Sequence, residues 1–160
     1  MQENKTTNKR ELTDIKGVPE KGRLLCLDPG TKRVGVAVSD EIQFTVRSVC
    51  IVERKSWKKF LIKIAAIIEE FDAKALVIGL PYNFDGSESE MSAEARRIAR
   101  NFSLSLEIPV YLHDERLSTY TARGNLWERG VDTEEFRDKL DSEAAAVILE
   151  DFIRVKNKSS

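Results

Sequence analysis

Arg23-Leu24-Leu25-Cys26-Leu27-Asp28-Pro29-Gly30 is the stretch on which the fold turns. A short apolar run ends in a carboxylate and a Pro-Gly pair, which reads as a buried strand entering a tight turn. Directly after it, Arg33-Val34-Gly35-Val36-Ala37-Val38-Ser39 alternates as a second strand would, and Phe44 to Val52 suggests a third. Connections this short favour an antiparallel meander.

Downstream the pattern changes period. Phe60, Leu61, Ile64, Ile67, Ile68 and Phe71 recur at helical spacing within 57–71. Ala75-Leu76-Val77-Ile78-Gly79 is continuously apolar, as a parallel strand buried on both faces is. A turn-rich loop from Pro81 to Glu88 leads to a helix from about Ser89 to Leu106. Pro109 to Asp114 supplies a fifth strand. Ser118 caps a helix running to about Glu128, and after a break at Gly130 a last helix is expected from about Asp138 to Val155. The order predicts one α/β domain: a five-stranded mixed sheet, three antiparallel strands continued by two parallel ones, flanked by helices. Residues 1–22 are expected to be a flexible arm, 23–155 the domain and 156–160 a polar tail.

Size and composition set outer bounds. The 160 residues suit one domain, and 41% hydrophobic with 33% charged residues describe an ordinary globular chain. No apolar run approaches the roughly 20 residues that a membrane span needs. The N-terminal stretch lacks the apolar core of a secretory signal and carries Glu3, Glu11, Asp14 and Glu20, which argues against a transit peptide. Cys26 and Cys50 stand in apolar runs without a Cys-x-x-Cys partner, so they read as buried hydrophobes in a reducing compartment. A cytoplasmic protein without a membrane partner is expected. Twenty-six basic and 27 acidic side chains give a net charge of −1, so any nucleic-acid site must be a local basic patch around an acidic centre.

Three carboxylates stand at element ends. Asp28 closes the first strand, where ligand sites of open α/β sheets lie; a turn-stabilising Asp is the plainer alternative. Asp114-Glu115-Arg116 ends the fifth strand, and alternation puts the two acids on opposite faces; a solvated charged turn would look the same. Asp141 shares a helical stripe with Ala144, Ala145, Ile148 and Phe152, where a carboxylate is costly unless paired or bound to a cation. Its alternative is a first-turn acid favoured by the helix dipole. The small residues Ala144, Ala145 and Ala146 let that helix approach the sheet closely. Together, such carboxylates can share one or two Mg²⁺ or Mn²⁺ ions, which prefer oxygen ligands. A pair of ions about 4 Å apart can hold the attacking and leaving oxygens of a phosphodiester displacement, with water as nucleophile.

Four segments resemble one family. Leu27-Asp28-Pro29-Gly30-Thr31-Lys32-Arg33-Val34-Gly35-Val36-Ala37 is similar to the opening strand pair of the YqgF (RuvX-like) family. Val77-Ile78-Gly79-Leu80-Pro81-Tyr82-Asn83-Phe84-Asp85-Gly86-Ser87 resembles its Gly-Leu-Pro-x-Asn-x-Asp-Gly loop. His113-Asp114-Glu115-Arg116-Leu117-Ser118-Thr119 resembles its Asp-Glu-Arg-Leu-Ser-Thr signature, and Leu140-Asp141-Ser142-Glu143-Ala144-Ala145-Ala146 its closing helix. The four stand in order between about Arg23 and Phe152. The resemblance implies an RNase H-like fold and a nuclease, either maturing the 5′ end of 16S ribosomal RNA or resolving Holliday junctions. It implies that Asp28, Glu115 and Asp141 are the catalytic, metal-binding acids, with Glu115 favoured over Asp114. Precursor ribosomal RNA or branched DNA is the implied partner, bound by a monomer or weak homodimer.

Lys32, Arg116 and Asn83 are the expected substrate contacts, and Arg33, Arg96, Arg97, Arg100 and Lys139 are further cations that could ring the acidic centre. His113, the sole histidine, is either a general base or, more commonly for a strand histidine, a packed and hydrogen-bonded residue. Two other functions compete. Asp28-Pro29-Gly30-Thr31 also resembles the phosphate loop of actin- and hexokinase-like ATPases, but those pair two such domains and this length provides one. A non-catalytic RNA-binding module on the same fold is the second.

Overall fold

The computed structural model describes residues 15–30, 32–81, 83, 85–114 and 133–158, with the side chains of 15 and 133–142 excepted. Five strands form one sheet: β1 (Leu24–Pro29), β2 (Arg33–Ser39), β3 (Val46–Glu53), β4 (Ala75–Leu80) and β5 (Val110–Asp114). Their order is β3-β2-β1-β4-β5, with β1–β2 and β2–β3 antiparallel and β1–β4 and β4–β5 parallel. The described helices are α1 (Trp57–Phe71), α2 (Glu90–Ser105) and α3 (Thr133–Lys158). The expected mixed sheet and its element order are therefore present, while the helix expected over 118–128 lies outside the described residues.

Helices cover both faces, and strand alternation sorts the core into two clusters. Leu25, Leu27, Val34, Val36, Val38, Leu76, Ile78, Leu80, Val110 and Leu112 pack on the side of α1 and α2. Leu24, Cys26, Ala37, Ala75, Val77 and Tyr111 pack on the other side with Ala145, Ile148, Leu149 and Phe152 of α3. This two-sided burial is why β1 and β4 read as unbroken apolar runs. The helix α3 lies over β1, β2 and β3, α2 over β4 and β5, and α1 over β3.

Local chemistry sets the ends of the elements. Ser56 caps α1 by accepting from Lys59 N, and Asp72 ends it in the left-handed conformation, φ 51°. Ser89 and Ser92 exchange side-chain-to-backbone hydrogen bonds of 2.7 and 2.9 Å, a capping box that starts α2. Two expectations need adjustment. The strand β3 starts at Val46, not Phe44, because Asp40 Oδ1 accepts from Phe44 N (2.6 Å) and Thr45 N (3.0 Å) and keeps both in the turn. The last helix starts at Thr133, five residues before Asp138, and runs to Lys158, past Val155. Its apolar stripe marks the packed middle, whereas 133–137 and 156–158 are helix formers without a breaker.

The segment preceding β1 is docked where it is described. A 3₁₀ turn spans Ile15–Gly17, Val18 is buried in the α3-side core, and Gln43 Nε2 donates to Pro19 O at 2.8 Å and Gly22 O at 3.1 Å.

Ala145 is fully buried between α3 and the sheet. Ala145→Leu is expected to overpack this contact and lower unfolding free energy by about 1–3 kcal/mol, measured by urea titration.

Candidate nucleic-acid cleavage site

The C-terminal ends of β1, β3, β4 and β5 meet along one rim, since β3 is antiparallel to β2 and so runs with β1. Asp28 stands on this rim. By alternation with Leu24 and Cys26 it belongs to the α3 side of the sheet, and it is half-buried. Its cross-strand partner on β2 is Gly35. On the other flank the parallel register pairs Leu27 with Ile78, so Gly79 follows level with Asp28, and Gly79 in turn pairs with His113. The row across the sheet is thus Gly35, Asp28, Gly79, His113. A carboxylate sits between two positions that carry no side chain, and the next side chain is two strand spacings away, about 9–10 Å. Both glycines are buried, and Asp28 itself is half-buried.

His113 closes the far end. Its Nε2 lies 2.6 Å from Asp151 Oδ2 of α3, and its ring meets Phe152 edge-on at 5.6 Å. Asp151 also pairs with Arg154. Burial pushes the Asp151 carboxyl up, but the bonds from His113 and Arg154 outweigh it and hold the carboxyl below its usual 3.8. An ionised Asp151 accepts, so Nε2 of His113 carries a hydrogen. Of the two roles considered for His113, the packed and hydrogen-bonded one describes its contacts.

The other site residues distribute unevenly. Asp114 pairs with Leu80 and shares the parity of Val110 and Leu112, which is the α1 and α2 side, opposite Asp28. Glu115 and Arg116 lie outside the described residues. Asp141 lies in α3 about one turn before Ala144 and Ala145, both buried, but its side chain is outside the described set. Lys32 is exposed beside the turn after β1. Asn83 is exposed and braces its own loop, with Nδ2 donating to Ser87 Oγ (3.0 Å) and Glu88 O (3.3 Å). Arg96 pairs with Glu88 and Arg97 with Glu94, so these two cations are partly neutralised within the α2 region. Among the described residues, no three His, Cys, Asp or Glu side chains converge on a common point. Nor is any helix there long and apolar enough to cross a membrane.

Sequence reasoning missed the glycine row and the Asp151 partner of His113. Each glycine was visible as a gap in an otherwise apolar strand, the mark of close approach by a ligand or another backbone. Their alignment needed the register.

The family model described as RuvX, Holliday junction resolvase, matches residues 22–155. This chain belongs to the RuvX family. The "Putative pre-16S rRNA nuclease" of Anaeromyxobacter sp. (strain Fw109-5) is 40% identical over 131 residues, covering 82% of this chain and 96% of that protein. The protein of the same name from Pseudomonas syringae pv. tomato is 39% identical, covering 81% and 90%. Among solved structures, the yeast mitochondrial Holliday junction resolvase Ydc2 superposes with a TM-score of 0.54 at 12% identity, covering 97% of this chain and 86% of that one. Thermus thermophilus RuvC in complex with a Holliday junction substrate gives 0.50 at 16% identity, with 83% and 95% covered. These likenesses bear on the fold, which is RNase H-like.

Because the folded-state Asp151 carboxyl is depressed, its contribution to stability is present above about pH 4 and fades as pH falls through the lowered value. Asp151→Asn is expected to cost about 1–3 kcal/mol at pH 7. The gap from wild type should narrow below pH 4 in thermal melts taken across that range.

Proposed function

We propose that this RuvX-family nuclease hydrolyses phosphodiester bonds with one or two Mg²⁺ or Mn²⁺ ions, acting in the cytoplasm on the 5′ end of precursor 16S ribosomal RNA. The observation that carries the reading is Asp28 at the C-terminal end of β1, half-buried on the α3 side of the sheet between Gly35 and Gly79. The oxygen chemistry of Asp28 fits a hard divalent cation. Asp28, Glu115 and Asp141 are the residues that would hold the ions. Asp114 has the parity of the α1 and α2 face, opposite Asp28, and the family resemblance favours Glu115.

Bound there, the metal would lower the pKa of a water and stabilise charge on the scissile phosphate. This chain's own residues would position the substrate. Lys32 beside the turn after β1, and Arg116, which follows Asp114 by two residues in the sequence, would supply cations, and Asn83 would offer polar contact from the loop after β4. The ribosomal substrate is supported by the names of relatives at about 40% identity, and the enzyme would act as a monomer or weak homodimer. A second reading, resolution of four-way DNA junctions, is favoured by the description of the matching family.

Wild type and Asp28→Asn should be compared on end-labelled precursor 16S RNA and on four-way DNA junctions, each with Mn²⁺ or Mg²⁺. Metal-dependent cutting of the RNA that falls about 10²–10³-fold in Asp28→Asn is expected. Preference for the junction would install the second reading, and cutting unchanged in the variant would remove Asp28 from the mechanism.

A further inference from the structure

Arg54-Lys55-Ser56-Trp57-Lys58-Lys59 joins β3 to α1 and sets four cations around one aromatic residue. One acid adjoins the run, Glu53, which pairs with Lys55 at 3.4 Å. The run passes into the N-terminal end of α1, the positive end of the helix dipole, where acids stabilise a helix and cations do not. Yet α1 has no acid in its first turn and carries Lys58 and Lys59 there. In a chain whose net charge is −1, so local a basic excess works against the helix it starts. An anion brought from outside would offset it.

A cavity of about 360 Å³ opens beside this run. Its walls are apolar at Trp57, Phe60 and Met91 and cationic at Arg54, Lys55 and Arg97. Trp57 is half-buried, its ring held by Phe60 at 6.1 Å and Phe102 at 4.9 Å between centroids. Glu94, in the same wall, is shared by Arg54 and Arg97, so one negative charge stands between two positive ones. Lys55 is 71% exposed and Arg97 56%, which leaves both charges accessible at the mouth. The cavity adjoins the rim that carries Asp28. Arg54 Nη1 donates to Gly30 O at 3.0 Å and its backbone N–H to Lys32 O at 2.8 Å. Trp57 and Phe60 belong to the α1 and α2 side of the sheet, and Asp28 to the α3 side. A strand joining the two places therefore crosses the turn after β1 and passes Lys32.

We propose that this cavity is a docking site for a single-stranded part of the RNA, taking one unpaired base against Trp57 with the neighbouring phosphates on Lys55 and Arg97. That the bound strand is the one being cut rests on the nuclease reading above; the docking itself does not. The pairing of surfaces follows from the chemistry of each partner. An apolar, aromatic wall suits the face of a base, and a cationic mouth suits the backbone on either side of it. Only an unpaired, unstacked base has a face to offer, so a duplex meets the cations and not the tryptophan.

The test uses the full chain in EDTA, where binding is read without cutting. A fluorescent oligouridylate and an RNA duplex of the same length are the probes, and anisotropy is followed across a salt series. Wild type is compared with Lys55→Ala, Trp57→Leu and, as control, Lys158→Ala, which lies beside the β2–β3 turn at the other end of the sheet. Lys55→Ala is expected to weaken oligouridylate binding and to reduce the slope of log Kd against log salt by about 0.7. Trp57→Leu should raise Kd about tenfold with the slope unchanged, and should leave duplex binding as it was. Lys158→Ala should match wild type. Oligouridylate binding that is undetectable in wild type, or no weaker in Lys55→Ala and Trp57→Leu than in Lys158→Ala, would overturn the proposal. Equal losses for single strand and duplex in Trp57→Leu would remove the base from it. If Trp57→Leu does not fold, quenching of Trp57 fluorescence by oligouridylate in a Trp127→Phe protein decides the same point, and an unquenched signal counts against the base. Binding that follows Lys55 and Trp57 in a protein that cuts neither substrate would leave the docking site standing and the nuclease reading fallen. Cutting with binding indifferent to both residues would do the reverse.

Discussion

A strand in the third position of a five-stranded sheet must satisfy two cores at once, and β1 does so with four consecutive apolar residues. Leu25 and Leu27 face α1 and α2, and Leu24 and Cys26 face α3. Everything else is arranged around that demand: antiparallel β2 and β3 on one flank, parallel β4 and β5 on the other, helices over both faces. The same alternation carries the polarity of the next residue to a definite side. Asp28 falls on the α3 side, so α3, and not the other two described helices, is the one whose acids could join it.

Much of this was legible in the chain because burial writes itself into spacing. The continuous runs at Leu24–Leu27 and Ala75–Ile78, the alternation at Arg33–Ser39 and the helical period over 57–71 each correspond to an observed element. What was not legible depends on chemistry that has no period. The carboxylate of Asp40 removes Phe44 and Thr45 from β3, and Phe44 ends 82% exposed. The first turn of α3 has no apolar stripe to announce it.

The candidate site was half legible for the same reason. Asp28 announces itself as a charge ending an apolar strand, and its proximity to Pro29-Gly30 marks a turn. That Gly35 and Gly79 come level with it is a property of three strands in register, which no single stretch contains. The partners Asp151 for His113 and Glu94 for Arg54 are 38 and 40 residues distant in sequence, and without the fold each looks like an ordinary surface charge. Asp114 and Glu115 show the converse, since alternation separates them from sequence alone.

The position of α3 has a consequence for the order in which the molecule can be completed. It covers β1, β2 and β3, yet it follows them by roughly 100 residues of chain. During synthesis the meander emerges first, with Leu24, Cys26 and Ala37 facing an absent layer. Until 145–153 leaves the ribosome, one side of the young sheet is a bare apolar surface, the kind that associates with other chains or is held by chaperones. The domain therefore shuts with α3, after every strand that this helix covers has been made.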